Sequence, residues 1–320
     1  MEVDTIIALT RQQIPDLNGD AVSVTEIAKG GSDRRYFRMK TQERSLIFCQ
    51  YGAETPENSR FAQHTDYLEA HQVSVPTILA RDPTNRRLWI EDLGELDLWS
   101  FRNEPWPVRR RLYEKTLDMV SRIHALRESH VASLPVLGPE FNEGMYGWEQ
   151  DYFFDNFAAN FSRDPGQIAA IRTSARLLAL KQDLEKPPRC LIHRDFQSQN
   201  VIIQNGEPVF IDYQGLRFGL AEYDLASLIF DPYVPMTAEE REELISYAEA
   251  RSDTPGFRAQ FYQCACQRLM QALGAYGFLG LVKQKTAFLE HIPPAVENLR
   301  AVAINAGALP ELEPLLHLRS

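Results

Sequence analysis

The sequence predicts an α+β protein with two lobes, a small strand-rich N-terminal lobe over residues 1–94 and a larger, mostly helical C-terminal lobe over residues 95–320. Alternating apolar and polar residues, rich in β-branched and aromatic types, are concentrated before residue 94. After it, apolar residues mostly recur at helical spacing. A chain of 320 residues also exceeds the length at which one hydrophobic core usually stops growing, which favours two lobes.

The N-terminal lobe is predicted to contain a helix, a strand meander and a second helix. Residues 1–18 carry an irregular apolar stripe, which indicates a helix. Three extended runs follow within residues 22–27, 36–39 and 45–50, separated by turn-forming residues. A helix is expected over residues 57–71. Extended chain begins again at Val75, and residues 87–91 are expected to form a strand that ends at Asp92-Leu93-Gly94.

The C-terminal lobe is predicted to be helical, with short strands in its middle. Helical spacing covers residues 108–130, 145–162 and 166–184, and helices resume from about residue 222. Between them, residues 190–193, 201–203 and 208–212 are β-branched runs separated by turn-forming residues. The short strands therefore flank residues 193–200 and lead to Asp212.

The charge balance argues against nucleic-acid and membrane partners. Lysine and arginine number 34 against 44 aspartates and glutamates, which gives a net charge of −10 and a pI near 5.3. The surface as a whole is expected to repel nucleic acid and anionic lipid. A polyanionic ligand would therefore need a local basic cluster.

The first residues and the cysteines indicate a cytoplasmic protein, which we expect to be a monomer. The N-terminal sequence MEVDTIIALTRQQ has acids where a secretory signal has basic residues, and no segment approaches the ~18 apolar residues of a membrane span. The cysteines lack the paired C-x-x-C spacing of zinc sites, so we expect buried free thiols at Cys49, Cys190, Cys264 and Cys266.

The segment that carries chemistry is His193-Arg194-Asp195 followed by Asn200, which fits the kinase catalytic-loop pattern H-R-D-x-x-x-x-N. An aspartate at the third position can take the proton of an acceptor hydroxyl. An asparagine five residues later can offer an amide oxygen to a magnesium ion on nucleotide phosphates. Asp212 ends an apolar strand twelve residues after Asn200, so its carboxylate can lie beside the same ion.

A structural role is the alternative for each of these residues taken alone. A lone Asp or Asn between two strands is usually a turn former. The combination of residue types at set offsets between strands rarely arises by chance, so we assign it to catalysis. Asp224, within Tyr223-Asp224-Leu225, is different, and we expect it to cap or brace a helix beneath the loop.

Several segments together resemble the aminoglycoside phosphotransferase and choline kinase superfamily. They are Gly31-Ser32-Asp33-Arg34-Arg35-Tyr36-Phe37-Arg38, Glu91-Asp92-Leu93-Gly94, His193-Arg194-Asp195 with Asn200, Asp212-Tyr213-Gln214 and Tyr223-Asp224-Leu225. The resemblance extends from Gly30 to the C-terminal helices and implies a protein-kinase-like bilobal fold. Within the superfamily, the chain looks most like the bacterial anomeric sugar kinases of cell-wall recycling, which phosphorylate N-acetylmuramate and N-acetylglucosamine at C1.

The resemblance implies an ATP:sugar phosphotransferase that uses ATP and Mg²⁺ and takes a small-molecule sugar as acceptor. It implies Asp195 as the base or acceptor-orienting carboxylate, and Asn200 and Asp212 as the magnesium ligands. It also implies that the segment from Glu91 to Leu93 is the hinge that offers backbone groups to adenine.

The third strand, residues 46–50, departs from the kinase-like pattern because it has no lysine to grip the α- and β-phosphates. Either the enzyme is inactive or another cation substitutes, and we favour substitution. Residues 29–44 contain six basic and two acidic residues, a local net charge of 6 − 2 = +4. The phosphate-binding candidates in this segment are the backbone of Gly30, Gly31 and Ser32 and the side chains of Arg34, Arg35 and Arg38. The alternative is a hairpin with solvent-facing arginines.

Acceptor candidates combine aromatic, acidic and amide groups. Aromatic faces can cover the apolar side of a pyranose, and carboxylates accept from its hydroxyls. The stretch Met145 to Tyr152 has both residue types, although a helix core with a solvated face is the alternative interpretation. The candidate acceptor residues are Glu149, Asp151, Tyr213, Gln214 and Arg268.

Two other functions stay open at this point. The same scaffold could phosphorylate another acceptor, such as an aminoglycoside, choline or a related metabolite. An acidic run at residues 239–243 would suit a cationic acceptor, but acids also favour the first turn of a solvated helix. A nucleotide-binding pseudokinase would explain the missing lysine, whereas the intact Asp195, Asn200 and Asp212 argue against it.

Overall fold

The computed structural model describes residues 2–17, 21–27, 34–53, 57–127, 136–163, 165–306 and 310–318. Its strands are β1 (Ser23–Ile27), β2 (Arg35–Lys40), β3 (Ser45–Gln50), β4 (Ile78–Asp82), β5 (Arg87–Glu91), β6 (Cys190–Ile192), β7 (Val201–Gln204), β8 (Glu207–Phe210) and β9 (Arg217–Gly219). Its α-helices are α1 (Val3–Gln13), α2 (Glu57–Ala70), α3 (Trp106–His124), α4 (Glu143–Phe153), α5 (Ala159–Phe161), α6 (Ile168–Arg172), α7 (Ala175–Glu185), α8 (Ala221–Ile229), α9 (Ala238–Glu249), α10 (Phe257–Gly277) and α11 (Ile292–Asn305).

The N-terminal part is an antiparallel sheet with a helix on each face. Within the described residues its strand order is β1-β2-β3-β5-β4. Because side chains alternate along a strand, β3 sends Phe48 to one face and Cys49 to the other. The first face packs under α1, where Trp89 Nε1 donates to Thr10 Oγ1 at 2.8 Å. The second face packs toward α2 and is continuous with the core of the C-terminal part.

The C-terminal part is built around α10, a helix of 21 residues that contacts α4, α8 and α11. In the part of the chain that the structure describes, β6 pairs with β9 and β7 pairs with β8, each in an antiparallel pair. The loop of residues 193–200 connects β6 to β7, and β8 leads to Asp212. The short strands therefore place the predicted catalytic residues at one edge of the helical core.

The two parts are joined by backbone contacts of the segment that follows β5 and of Ser74, which precedes β4. Ile203 N donates to Leu96 O at 2.7 Å, and Asp97 forms an isolated bridge with Ile202. Phe210 N donates to Ser74 O at 2.9 Å. These backbone contacts fix the end of the sheet against the β7-β8 pair.

Most predicted elements are confirmed, with differences that have local causes. The predicted helix over 166–184 is two helices, since Ser174 begins α7 by accepting a hydrogen bond from Leu177 N at 3.3 Å. The predicted helix over 145–162 contains a π-helical turn at Phe154–Ala158. The predicted helix over 108–130 ends at His124, and its last predicted residues, 128–130, lie outside the described residues.

The strand predicted over 208–212 ends at Phe210, because Asp212 adopts a left-handed conformation with φ 63°. Strand β9 is not among the predicted elements, since three residues are too few to show an alternating pattern.

All four cysteines lie in described segments and are buried free thiols, as predicted. Burial raises the pKa of Cys49 to about 12, so this thiol is protonated at neutral pH. Among the described residues, no helix combines the length and the apolar character that a membrane crossing requires.

Candidate active site

The loop of residues 193–200 is held at its start by Asp224. This residue of α8 is fully buried and accepts hydrogen bonds from His193 N at 2.7 Å and from Arg194 N at 2.9 Å. His124 Nε2 lies 3.0 Å from the same carboxylate. Arg194 has φ 76°, a left-handed conformation that few non-glycine residues adopt. Asp224 therefore braces the loop itself, whereas the sequence predicted that it would cap or brace the helix beneath the loop.

A second buried carboxylate holds the loop further along. Asp231 lies just after α8, and its Oδ2 accepts from both Ser198 N at 2.8 Å and Ser198 Oγ at 2.6 Å. Its Oδ1 accepts from Tyr233 N at 3.0 Å. Burial raises the pKa of Asp231 above its ordinary value, against the opposing effect of these hydrogen bonds. One helix and its C-terminal extension thus fix both parts of the catalytic loop.

Asp195 lies between these two anchor points, with 37% of its side chain exposed. Arg194 Nη1 is 3.1 Å from Asp195 Oδ2. Burial alone would raise the pKa of Asp195, but the positive charges of Arg194, Arg268 and Arg217 outweigh it and hold this pKa below its ordinary range. The carboxylate is therefore ionised at neutral pH and can accept the hydrogen bond, and then the proton, of an acceptor hydroxyl.

Asn200 and Asp212 are brought together by the pairing of β7 with β8. Ile211 N donates to Asn200 O at 3.0 Å, which places Asp212 one residue beyond this contact. Asn200 Nδ2 donates to Asp195 O at 2.8 Å, while no hydrogen bond from a described residue engages its amide oxygen. The left-handed turn at Asp212 ends the strand and directs the chain away from the sheet.

These two side chains fit a magnesium ion that is also bound by nucleotide phosphates. Such an ion is usually held by one or two protein oxygens together with phosphates and water. Within the described segments, no group of three or more His, Cys, Asp or Glu side chains could hold a metal by itself. Asn200 offers an amide oxygen to which no described residue donates, and the Asp212 side chain is 41% exposed.

Arg34 supplies a cation next to Asp212. Its Nη2 lies 2.8 Å from Asp212 Oδ1, and its side chain is 13% exposed. Arg34, Tyr36 and Cys49 line a small cavity between the sheet and α2. Cys49 belongs to β3, the strand that lacks a lysine, and pairs with Tyr36 of β2. Since Arg34 lines the same cavity as Cys49, Arg34 lies beside β3.

The other two predicted arginines are engaged elsewhere. Arg35 lies over the ring of Phe37 on the α1 face of β2 and pairs with Glu26 at 2.9 Å. Arg38 pairs with Asp92 at 2.8 Å, so it stabilises the turn after β5. Neither arginine pairs with Asp212, and we leave both out of the nucleotide site proposed below. The remaining candidates of this segment, Gly30, Gly31 and Ser32, lie outside the described residues.

The predicted hinge follows the edge of the sheet. Glu91 N donates to Thr77 O at 2.9 Å, and Gln204 Nε2 donates to Glu91 Oε1 at 3.2 Å. Leu93 is half-buried, and Gly94 has φ 85°, which a glycine adopts without strain. The segment therefore connects the sheet to the β7-β8 pair, and its contact with adenine stays a prediction.

Two of the predicted acceptor residues are engaged by side chains of other helices. Glu149 is 1% exposed, and its oxygens accept from Tyr223 OH at 2.7 Å and from Gln267 Nε2 at 2.9 Å. Burial raises the pKa of Glu149. Asp151 has 57% of its side chain exposed and pairs with Arg172 at 2.7 Å. Glu149 thus connects helices inside the core, and Asp151 pairs on the surface.

The other three acceptor candidates lie closer to the reacting groups. Gln214 Nε2 donates to Asp212 Oδ1 at 2.7 Å. Tyr213 is fully buried beneath α2, with its hydroxyl 2.7 Å from Thr65 Oγ1. Arg268 lies on α10 and adds to the positive charge around the catalytic carboxylate. Gln214 and Tyr213 therefore position the segment around Asp212.

A cavity of about 430 Å³ opens beside the catalytic loop. Its lining includes residues of the segment 139–145, the half-exposed ring of Trp148, and the side chains of Arg194 and Arg217. Arg217 is not among the sequence predictions. The sequence signal for Arg217 is a basic residue between the apolar residues Leu216 and Phe218. It stands three residues after the Asp212-Tyr213-Gln214 motif.

The sequence from residue 23 to residue 260 matches the phosphotransferase enzyme family. The match spans more than half of the chain and includes the sheet, the catalytic loop and Asp212. The chain belongs to this family. The phosphotransferase is therefore a kinase. This confirms the prediction, made from the catalytic-loop motif, that the chain is a kinase.

Two curated relatives of the phosphotransferase carry the same name. The N-acetylmuramate/N-acetylglucosamine kinase of Pseudomonas aeruginosa is 29% identical over 224 residues, which cover 67% of this chain and 62% of that enzyme. The enzyme of that name from Neisseria meningitidis is 24% identical over 307 residues, which cover 92% of this chain and 89% of that enzyme. The chain thus spans less than two thirds of the length of the Pseudomonas relative.

Solved structures of the same fold include kinases with different acceptors in their names. A choline/ethanolamine kinase family protein from Mesorhizobium loti superposes with a TM-score of 0.64 at 15% identity and covers 98% of each chain. The ADP-bound aminoglycoside phosphotransferase APH(2'')-Ib superposes with a TM-score of 0.60 at 11% identity, over 96% of this chain and 99% of that one. The predicted bilobal kinase-like fold is confirmed.

We expect Asp224→Asn to lower kcat by about 100-fold, because an amide group cannot accept from both backbone N–H groups and a shift of the loop misplaces Asp195. We also expect it to lower the free energy of unfolding by about 1–3 kcal/mol. The matched control is Asp118→Asn, which changes an exposed carboxylate paired with Arg251 and is expected to alter neither quantity appreciably. Equal kcat values for the two variants would contradict the bracing role.

We expect Arg268→Met to move the acid limb of the kcat/KM profile to higher pH. Arg268 helps to hold the pKa of Asp195 below its ordinary value, so its removal raises this pKa and protonates the base at a pH where the wild type is still ionised. Initial rates measured from pH 4 to pH 8 test this. The control is Arg251→Met, which removes an exposed arginine that follows α9. An acid limb that does not move in Arg268→Met would refute the electrostatic role of Arg268.

Proposed function

We propose that this phosphotransferase uses ATP and Mg²⁺ to phosphorylate the anomeric hydroxyl of N-acetylmuramate and N-acetylglucosamine. The shared name of the Pseudomonas and Neisseria relatives supports this acceptor class. ATP as donor places the reaction in the cytoplasm, and the two sugars place it in the recycling of peptidoglycan. An ADP-bound structure of the same fold supports ATP as the nucleotide.

The observation that carries this choice of acceptor is the positive charge around Asp195. Arg194, Arg268 and Arg217 all lower the pKa of this carboxylate, and two of them line the adjacent cavity. Aminoglycosides and choline are cations, so this cleft would repel them. A neutral or anionic sugar meets no such penalty, and the charge therefore favours an N-acetylated sugar over the cationic acceptors of other kinases with this fold.

The acceptor half of the mechanism depends on Asp195. The ionised carboxylate accepts the hydrogen bond of the anomeric hydroxyl and orients its oxygen toward the γ-phosphate. As the oxygen–phosphorus bond forms and the bond to ADP breaks, the hydroxyl proton passes to Asp195. Asn200 and Asp212 would hold Mg²⁺, which supplies neutralisation of phosphate charge when bound.

The nucleotide half of the mechanism depends on the sheet. We assign adenine to the backbone of Glu91 and Leu93, where the sheet meets the C-terminal part. We assign the role of the missing lysine to Arg34, because it lies beside β3 and contacts Asp212. Gly30, Gly31 and Ser32, which precede Arg34, remain the proposed backbone contacts to phosphate.

We expect Arg34→Met to raise KM for ATP at least 10-fold, because the variant loses the cation beside Asp212. Arg34→Lys is expected to recover part of the loss, since it restores a charge without the forked geometry. Arg35→Met is the matched control, because its side chain lies on the opposite face of β2 and pairs with Glu26. Equal KM values for Arg34→Met and Arg35→Met would contradict the assignment.

The proposed function is tested by ADP release with a panel of acceptors at fixed ATP and Mg²⁺. We expect turnover with N-acetylmuramate and N-acetylglucosamine and none with choline or an aminoglycoside. The Asp195→Asn variant is expected to lose turnover by at least 100-fold while keeping its thermal unfolding temperature. Turnover with the cationic acceptors alone would overturn the proposal.

A further inference from the structure

Arg217 is a buried guanidinium that lines the cavity beside the catalytic loop. It is 5% exposed, its Nε donates to Gly215 O at 3.1 Å, and it lies over the ring of Phe141 at 5.7 Å. Among the described residues, no carboxylate lies within ion-pair distance of Arg217, and no hydrogen bond engages its two terminal nitrogens. A buried charge without a counter-ion is costly, so an anion in the cavity would stabilise it.

The surrounding backbone holds the guanidinium at this position. A Cβ on Gly138 would lie 3.1 Å from Arg217 Nη2, so a larger residue there would crowd the charged group. Gly138 N donates to Leu216 O at 3.1 Å, and Phe141 N donates to Phe218 O at 2.8 Å. The segment 138–141 therefore runs along β9 and packs Arg217 against the cavity, whose volume of about 430 Å³ suits a monosaccharide.

The charges that face Arg217 leave this corner of the cavity positive. Arg194 also lines the cavity, and burial together with this like charge lowers the pKa of Arg217. Asp195 and Glu149 act to raise the pKa of Arg217. However, Asp195 is the base, and Glu149 has both oxygens hydrogen-bonded inside the core. Glu140 lines the cavity from an exposed position.

We propose that Arg217 binds a carboxylate of the acceptor sugar and makes the enzyme prefer N-acetylmuramate, whose lactyl ether carries a carboxylate, to neutral N-acetylglucosamine. This inference rests on the proposed function. Gly215 connects the two ends of the acceptor site, since its carbonyl accepts from Arg217 and its Cβ position lies 3.6 Å from Asp195 Oδ2. A sugar whose carboxylate contacts Arg217 therefore lies within reach of the base.

The test is the ratio of kcat/KM for N-acetylmuramate to kcat/KM for N-acetylglucosamine. We expect a ratio of about 10–100 in the wild type, a ratio near 1 in Arg217→Met, and an intermediate ratio in Arg217→Lys, which keeps a charge but not the fork. Arg251→Met removes an exposed arginine that pairs with Asp118 and does not line the cavity, and it is expected to keep the wild-type ratio. A ratio that is unchanged in Arg217→Met overturns the inference.

A comparison of substrates on the wild type keeps the inference testable if Arg217→Met does not fold. The methyl ester of N-acetylmuramate has the same shape near C1 but no charge, so we expect its kcat/KM to fall to the value for N-acetylglucosamine. An ester that reacts as well as the acid overturns the role of Arg217 and leaves the proposed function standing. A wild type that phosphorylates neither sugar overturns the proposed function itself.

Discussion

One buried carboxylate that accepts hydrogen bonds from two consecutive backbone amides is the interaction on which the active site depends. Asp224 holds the amides of His193 and Arg194, and these bonds stabilise a left-handed residue directly before the base. Asp231 accepts from both the backbone amide and the hydroxyl of Ser198. Since hydrogen bonds to a buried charge are among the stronger ones in proteins, α8 fixes the catalytic loop to the helical core.

A protein with a net charge of −10 concentrates positive charge at two places in its cleft. Arg34 lies beside Asp212, where nucleotide phosphates are expected, and three further arginines surround Asp195. At the second place the same charges have two effects: they keep the base ionised at neutral pH, and they select against cationic acceptors. The acidic surface thus discourages nonspecific polyanions, while the cleft accepts small anionic ligands.

The sequence pattern predicted which candidate catalytic residues lie together, but it did not predict how the arginines are distributed between the faces of the sheet, for physical reasons. Asp195, Asn200 and Asp212 stand in short strands and turns whose spacing alone brings them together. Arg34 and Arg35 are neighbours in the sequence, but strand alternation sends them to opposite faces, which composition does not reveal. Glu149 appeared available on a helix, yet a buried network with Tyr223 engages it. Arg217 stands in a strand of three residues, which is too short to show an alternating pattern.

The most direct measurement is a crystal structure with N-acetylmuramate, Mg²⁺ and a non-hydrolysable ATP analogue. The charges and anchors described above predict that the C1 hydroxyl oxygen lies within about 2.6–3.2 Å of the Asp195 carboxylate. They also predict that the γ-phosphate lies on the side of Asn200 and Asp212. A sugar bound with C1 directed away from Asp195, or bound outside the cavity lined by Arg194 and Arg217, would contradict the central claim that this loop positions the acceptor.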